Sequence, residues 1–461
     1  MATKSEFQSY NPATAEHIQT FAELSDAEVD AALQKANDTY KNVWRPLPIA
    51  ERGRLMARVA ALMRERTDEL AKCAARELGK LIFELKLEVG WCVEMFEYFA
   101  AEAERLLQPE VIVSNPGCEI WSEPVGVILA IEPWNFPYLQ LARVAAPQLL
   151  AGNVLIAKPA PSVPECSLKF AQLFADAGVP EGVYTNIFAN VAQLGGLLDD
   201  FRVRGVTFTG STRAGAAVAE RAGRNVKKAV LELGGSDALI ILPDAPLDQT
   251  VATAVNSQMF NTGQGCAAVK RLIVIGAERG RHATEAVVRA FASLKPGDPS
   301  DPSTTLGPIS SERALQGLLA QVVSARAAGA KVAYGGGQID RPGWYMEPTV
   351  LTDIAPNNPI FQEETFGPIL SVYVVENEAD AIELANATSF GLGACIMTSD
   401  IPHAKVIAEK MDVGMVFING SAYSGPDIPF GGVKNSGFGR ELYYIGFNEF
   451  VNKKLARVAL D

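Results

Sequence analysis

Apolar positions recur at helical spacing through the first hundred or so residues. "SDAEVDAALQKA" opens on Ser25 with Glu28 three positions on, a capping-box spacing that predicts a helix start. "ERGRLMARVAALMRERTDELAKCAARELG" keeps an apolar stripe at the same period. From about residue 125 the texture changes. The short apolar runs "VGVILAI", "NVLIAK", "VYTNIF", "GVTFTG" and "DALIIL" alternate with the amphipathic stretches "PYLQLARVAAPQLLAG", "SLKFAQLFADAG" and "TRAGAAVAERAG". This alternation predicts βαβ units and a parallel sheet covered on both faces. A second alternating region begins near 235 and runs past 410, with "RLIVIG", helices at about 282–294 and 311–328, and "ILSVYVV". The Pro/Gly-rich segment 293–308 predicts a surface loop, and the tail "GFNEFVNKKLARVALD" an edge strand.

A chain of 461 residues is long enough for two or more domains. Its net charge of -12, with Lys and Arg dispersed, argues against a general nucleic-acid or anionic-membrane binder. Apolar runs stay strand-sized, far short of a membrane span, and the N-terminal stretch shows no apolar h-region of a secretory signal. Six cysteines without a CxxC pair suggest reduced thiols and a cytoplasmic location. Three histidines, none at HxxxH spacing or near a cysteine, predict neither a metal site nor a Cys–His hydrolase.

Four segments carry candidate chemistry. "FNTGQGCAAV" places Cys266 in a glycine-rich turn, an unusual setting for a structural cysteine. "LELGGSD" sets Glu232 at a strand end, where a carboxylate fits either a cleft or a solvent-facing edge. In "EPWNFP", Asn135 stands between two prolines, able to donate to an oxyanion or to make an ordinary turn hydrogen bond. "GVTFTGSTRAG" reads strand, turn, helix. The Gly210–Ser211 turn suits a pyrophosphate at the helix N-terminus, but matches neither GxGxxG nor a Walker A loop.

Taken with "AKPAPSVP", "EETFGP" and "PFGGVKNSGFGRE", these segments follow one another in the order of a known family. Over essentially its whole length the sequence resembles the NAD(P)-dependent aldehyde dehydrogenase superfamily. The resemblance implies an α/β fold with a Rossmann-type cofactor domain (1–107 and 127–234), an α/β catalytic domain (235–428) and a small β oligomerisation arm (108–126 and 429–461). It implies that Cys266 attacks the aldehyde, that Asn135 and the Cys266 N–H hold the oxyanion, and that Glu232 activates the water that hydrolyses the thioester. It places Trp134, Lys158, Ser162, Gly210, Ser211, Glu364 and Phe366 around NAD or NADP. A homodimer or homotetramer is expected by the same analogy.

Two positions narrow the expectation. Where many NAD-preferring members carry a Glu three residues after the lysine, this chain has Pro161, so a 2′-phosphate is not repelled. Arg143 matches an arginine of succinate-semialdehyde dehydrogenases and suits a distal carboxylate, with Ser421, Tyr423 and Ser424 completing the pocket. The expected substrate is therefore succinic semialdehyde, with aromatic or other aliphatic aldehydes as the alternative. A CoA-acylating enzyme, disfavoured by Glu232, and a catalytically silent relative are the rivals of other classes.

Overall fold

Ser25 caps the helix Asp26–Thr39 as its spacing predicts. Its hydroxyl accepts from Glu28 N, and the Glu28 carboxylate accepts from Ser25 N. The structure is a computed structural model describing residues 7–115 and 117–459. Residues 1–6, where the segment read for a secretory signal begins, and Pro116, Leu460 and Asp461, which fall in the expected arm, lie outside the described residues. Helices Ile49–Glu65, Thr67–Leu78 and Ile82–Leu106 follow. One correction applies here: Gln8–Asn11 and Glu16–Thr20 pair as an antiparallel hairpin within the stretch expected to be helical. These strands are polar and short, so tertiary contacts hold them, among them Tyr10 against Trp344, with ring centroids 6.3 Å apart.

The first large sheet runs Gly437–Phe438, Lys228–Glu232, Val203–Thr209, Val127–Ile131, Val154–Lys158, Tyr184–Asn186, all parallel except the first. Val127–Ile131 and Val203–Thr209 are neighbours whose onward connections leave in opposite directions. That is a topological switch point, and in open α/β sheets a crevice for ligands opens there beyond the carboxyl ends of the strands.

The second sheet runs Lys331–Tyr334, Thr349–Thr352, Ile369–Val375, Val269–Ile275, Asp237–Ile241, Gly393–Met397, Met415–Ile418, parallel except for its first strand. Val269–Ile275 and Asp237–Ile241 are buried at every position, which is why they read as near-continuous apolar runs. The helices expected near 282–294 and 311–328 span Ala277–Ala292 and Glu312–Ala327. The tail strand Val451–Arg457 pairs antiparallel with Cys118–Pro124, which in turn pairs with Glu110–Val111.

One buried ion pair positions the chemistry. The Lys80 ammonium and Glu88 carboxylate, both fully buried, lie 2.7 Å apart. Glu88 also accepts the N–H groups of Tyr138 and Leu139 at 2.9 and 3.1 Å. A buried carboxylate is tolerable because it is paired and hydrogen-bonded. It thereby fixes the start of helix Leu139–Ala151 and the loop 132–138 ahead of it. Among the described residues no helix is long and apolar enough to cross a membrane.

Candidate active site

Cys266 sits between the 3-10 turn Phe260–Gly263 and the strand Val269–Ile275, half-buried on the wall of a cavity of about 340 Å³. Arg143, Ser421, Tyr423 and Ser424 share that wall, so the predicted nucleophile and all four predicted substrate residues meet in one space. Trp91, Phe136, Phe260 and Phe430 supply its aromatic surface. Glu232 and Asn135 are not on this wall; both are buried.

Burial pushes the Cys266 thiol up to about 11, opposed by the positive charges of Lys270 and Arg143, while Glu364 and Glu232 push it further up. Lys270 is the residue that sequence reasoning missed. Its Nζ donates to the Gly235 carbonyl at 2.6 Å, the Cys266 carbonyl at 2.9 Å and Glu364 Oε1 at 2.7 Å. The available signal was a lysine interrupting the apolar run "AAVKRLIVIG".

Glu232 ends the strand Lys228–Glu232 and is buried, which rules out a solvent-facing edge. Neither carboxylate oxygen has a hydrogen-bond partner among the described residues. Burial holds the carboxyl well above the usual range, Glu441 adds to this, and Arg143 and Arg440 partly offset it. A Cβ on Gly431 would come within 2.6 Å of Glu232 Oε1, so glycine there leaves space for the carboxylate.

Asn135 lies in a stapled pair of loops. Its Nδ2 donates to the Gln264 carbonyl at 3.1 Å, and its own carbonyl accepts from Asn261 Nδ2 at 2.8 Å. Asn261 and Thr262 hold positive φ of 52° and 55°, a conformation uncommon outside glycine. The Glu84 carboxylate accepting from Asn261 N at 3.0 Å helps fix it. Gly263, in the same glycine-rich turn, is set by packing rather than by the approach to sulfur. Its φ is 77°, and a Cβ there would lie 2.2 Å from the Gly367 carbonyl oxygen, so close backbone packing requires it.

Arg143 lines the cavity but is tied into a salt bridge. It is buried on helix Leu139–Ala151, ion-paired with Glu441, donates to Gln140 Oε1 at 3.3 Å and stacks over Phe430 at 3.9 Å. Among the described residues its Nε and Nη2 and the Ser424 hydroxyl are buried without a hydrogen-bond partner. Both residues line the cavity that holds the thiol.

None of the predicted cofactor residues lines this cavity, and several follow the carboxyl ends of strands in the first sheet. Lys158 ends the strand Val154–Lys158, and Ser162 precedes helix Pro164–Asp176. Ser211 caps helix Thr212–Arg224 through its side chain, and Gly210 N donates to the Glu232 carbonyl at 2.9 Å. The rings of Trp134 and Phe366 meet edge-on, 5.6 Å between centroids. Glu364 accepts from Gly235 N at 3.0 Å, and its other oxygen lies where a Cβ on Gly234 would be 2.4 Å away.

The aldehyde dehydrogenase family profile matches residues 1–456. The chain belongs to the aldehyde dehydrogenase family. It is 45% identical to succinate-semialdehyde dehydrogenase [NADP(+)] of Deinococcus radiodurans over 452 residues, covering 98% of this chain and 94% of that relative. It is 42% identical to succinate-semialdehyde dehydrogenase [NADP(+)] 1 of Mycobacterium tuberculosis over 453 residues, covering 97% of this chain and 99% of the relative. The crystal structure of the Streptococcus pyogenes succinic semialdehyde dehydrogenase in complex with NADP+ superposes with a TM-score of 0.95 at 40% identity, covering 98% and 99% of the two chains. The Bacillus cereus aldehyde dehydrogenase in complex with NAD+ gives a TM-score of 0.95 at 31% identity, covering 99% and 93%.

Proposed function

We infer that this aldehyde dehydrogenase oxidises succinic semialdehyde to succinate with NADP, Cys266 acting as the nucleophile. The carrying observation is that Arg143 and the Cys266 thiol line one cavity, with Ser421, Tyr423 and Ser424 on the same wall. Succinic semialdehyde has a carboxylate for the guanidinium at one end and an aldehyde for the thiol at the other. The thiolate adds to the aldehyde carbon, and the second Asn135 amide hydrogen and the Cys266 N–H are the donors for the oxyanion. The cofactor, when bound, accepts the hydride. Glu232 then takes a proton from the water that cleaves the thioester.

The residues around the crevice fit a dinucleotide. A capped helix N-terminus after a Gly–Ser turn offers N–H groups to a pyrophosphate, Lys158 and Ser162 flank the ribose position, and Glu364 is fixed yet partly exposed. With Pro161 in place of a carboxylate, the site takes a 2′-phosphate. Pro161→Glu is expected to shift the NADP-over-NAD ratio of kcat/KM by about tenfold or more toward NAD, through repulsion of the phosphate. Parallel kinetics with the two cofactors read this, and an unmoved ratio removes Pro161 from cofactor choice.

Arg143→Ala tests the substrate. The expected result is a KM for succinic semialdehyde raised by about 10²-fold or more, from loss of a charge-assisted fork, with a much smaller change for butanal. Because the change also strands the buried Glu441 carboxylate, Arg143→Ala combined with Glu441→Gln is measured alongside. Equal losses for both aldehydes in both variants remove Arg143 from carboxylate recognition. An assay with and without CoA separates hydrolysis from acyl transfer. The sheet formed by Glu110–Val111, Cys118–Pro124 and Val451–Arg457 is the arm through which we expect two or four copies to associate in the cytoplasm, the remaining chain dividing into the cofactor and catalytic domains given above.

A further inference from the structure

Cys73 and Cys166 stand 93 positions apart in sequence, outside any metal-binding spacing, yet their buried sulfurs lie 3.8 Å from each other. Cys73 belongs to helix Thr67–Leu78 and Cys166 to the first turn of helix Pro164–Asp176. Glu77, one turn after Cys73 and also buried, completes a triangle. One of its carboxylate oxygens and the two sulfurs all lie within 4.8 Å of one another. A thiol–thiol hydrogen bond accounts for the sulfur spacing alone. It does not account for a buried carboxylate beside the pair.

That carboxylate lacks the counter-charge its neighbour has. Glu88 is neutralised by Lys80 at 2.7 Å, whereas among the described residues no Lys, Arg or His pairs with Glu77. Buried charges are paired with an opposite charge or coordinate a metal. Glu77 accepts the N–H groups of Glu165 and Cys166 at 3.1 and 2.9 Å, one on each oxygen. Such outer hydrogen bonds orient a metal-binding carboxylate and leave each oxygen a lone pair. The sulfur spacing fits as well. Two Zn–S bonds of about 2.3 Å at the tetrahedral angle set the sulfurs about 3.8 Å apart. The Tyr138 hydroxyl adjoins both thiols and donates to the Leu70 carbonyl at 2.9 Å, so its oxygen is the neutral donor at hand for a fourth position.

We propose that Cys73, Cys166 and Glu77 form a structural zinc site, with the Tyr138 oxygen at its fourth corner. As Zn2+ binds, two Zn–S bonds form, two S–H bonds break and two protons pass to solvent; no electrons are transferred. Two thiolates and a carboxylate in a tetrahedral array select zinc over calcium or magnesium. The single negative charge left over meets the positive end of helix Pro164–Asp176. Cys73 is 7% exposed and Cys166 fully buried, so the ion enters past Cys73. Once bound, it ties helix Thr67–Leu78 to the helix that follows Lys158 and Ser162, and to the start of helix Leu139–Ala151. None of the four residues lines the cavity that holds Cys266, so the site serves stability rather than the aldehyde chemistry. The proposal is independent of the proposed function.

The test titrates cobalt(II) into the full chain after reduction and chelation, with Cys266→Ala in place to remove the half-buried thiol. A sulfur-to-cobalt charge-transfer band saturates at one equivalent, and Zn2+ then abolishes it. Zn2+ at a hundredfold excess over its dissociation constant raises the thermal midpoint by about 2 °C or more. Cys73→Ser and Cys166→Ser each lose the band and the thermal shift, and Cys92→Ser changes neither. Glu77→Gln weakens cobalt binding by about tenfold or more. NADP binding, followed by quenching of protein fluorescence, reports whether each variant is folded. Where a serine variant has lost it, the result is read from Glu77→Gln, which keeps an acceptor for the backbone N–H groups. A chain that shows no charge-transfer band overturns the proposal, as does a band that survives both serine substitutions. Cobalt uptake without sulfur charge transfer, or an affinity in Glu77→Gln within about twofold of the parent, overturns it equally.

Discussion

Replacing Cys266 with alanine is expected to lower kcat for aldehyde oxidation by at least about 10⁴-fold while NADP binds as before. The expectation comes from location as much as from chemistry. Cys73, Cys92, Cys118, Cys166 and Cys395 are buried and none lines the cavity, so no neighbouring thiol substitutes. Burial holds the Cys92 thiol well above the ordinary value and the Cys395 thiol up as well, which keeps both inert. Cys266 is also raised, to about 11, but it alone among the six is half-exposed and has Lys270 and Arg143 drawing it down. Its acylation rate therefore rises with pH as the thiolate fraction grows. Steady-state assays with several aldehydes and a fluorescence titration with NADP check the two halves of the expectation. Activity within about tenfold of the unaltered protein would falsify the assignment.

The parts of this molecule that were legible in the sequence are those whose cause is local. A capping box at Ser25 and Glu28, a fully buried run at Val127–Ile131, and a thiol in a glycine-rich turn each carry their signal within a few residues. The polar hairpin Gln8–Thr20 carries none, because its strands are held by packing rather than by alternation. The site's supporting frame is equally silent. Asn135 meets Gln264 across 129 positions and Arg143 pairs with Glu441 across most of the chain, partnerships that only tertiary packing creates. That pairing also changes what the arginine has to offer. A guanidinium that suits a distal carboxylate already holds the Glu441 carboxylate. Lys270 shows the converse: its position in a buried strand was visible, but its three partners come from separate loops. The two glycines before Cys266 looked alike in sequence and differ in cause, one made necessary by a carbonyl 2.2 Å from where its Cβ would be, the other facing open space.

Glu232→Gln is expected to separate the two halves of the reaction. Acylation needs the thiol and the oxyanion donors, which glutamine leaves in place. Hydrolysis of the thioester needs a base, and general-base removal costs about 10²–10⁴-fold. The variant should release close to one equivalent of NADPH per active site in a rapid burst, followed by a steady state slower by that factor. The pH dependence gives an independent reading. Burial, with Glu441 nearby, holds the Glu232 carboxyl well above its ordinary value, so the proton is retained at pH values where a free carboxyl has lost it. The base is the deprotonated form, and deacylation in the unaltered protein therefore rises with pH through that raised value; in the variant this limb is absent. The same shift has a consequence for stability with a definite sign. Between the unfolded and the raised folded value the native state binds more protons than the unfolded one, so stability falls as pH increases. Glutamine does not titrate, and the thermal midpoint of Glu232→Gln should decline less over that window than that of the unaltered protein. A variant with no burst, an undiminished kcat and an unchanged pH profile would end the role of Glu232 as the deacylating base.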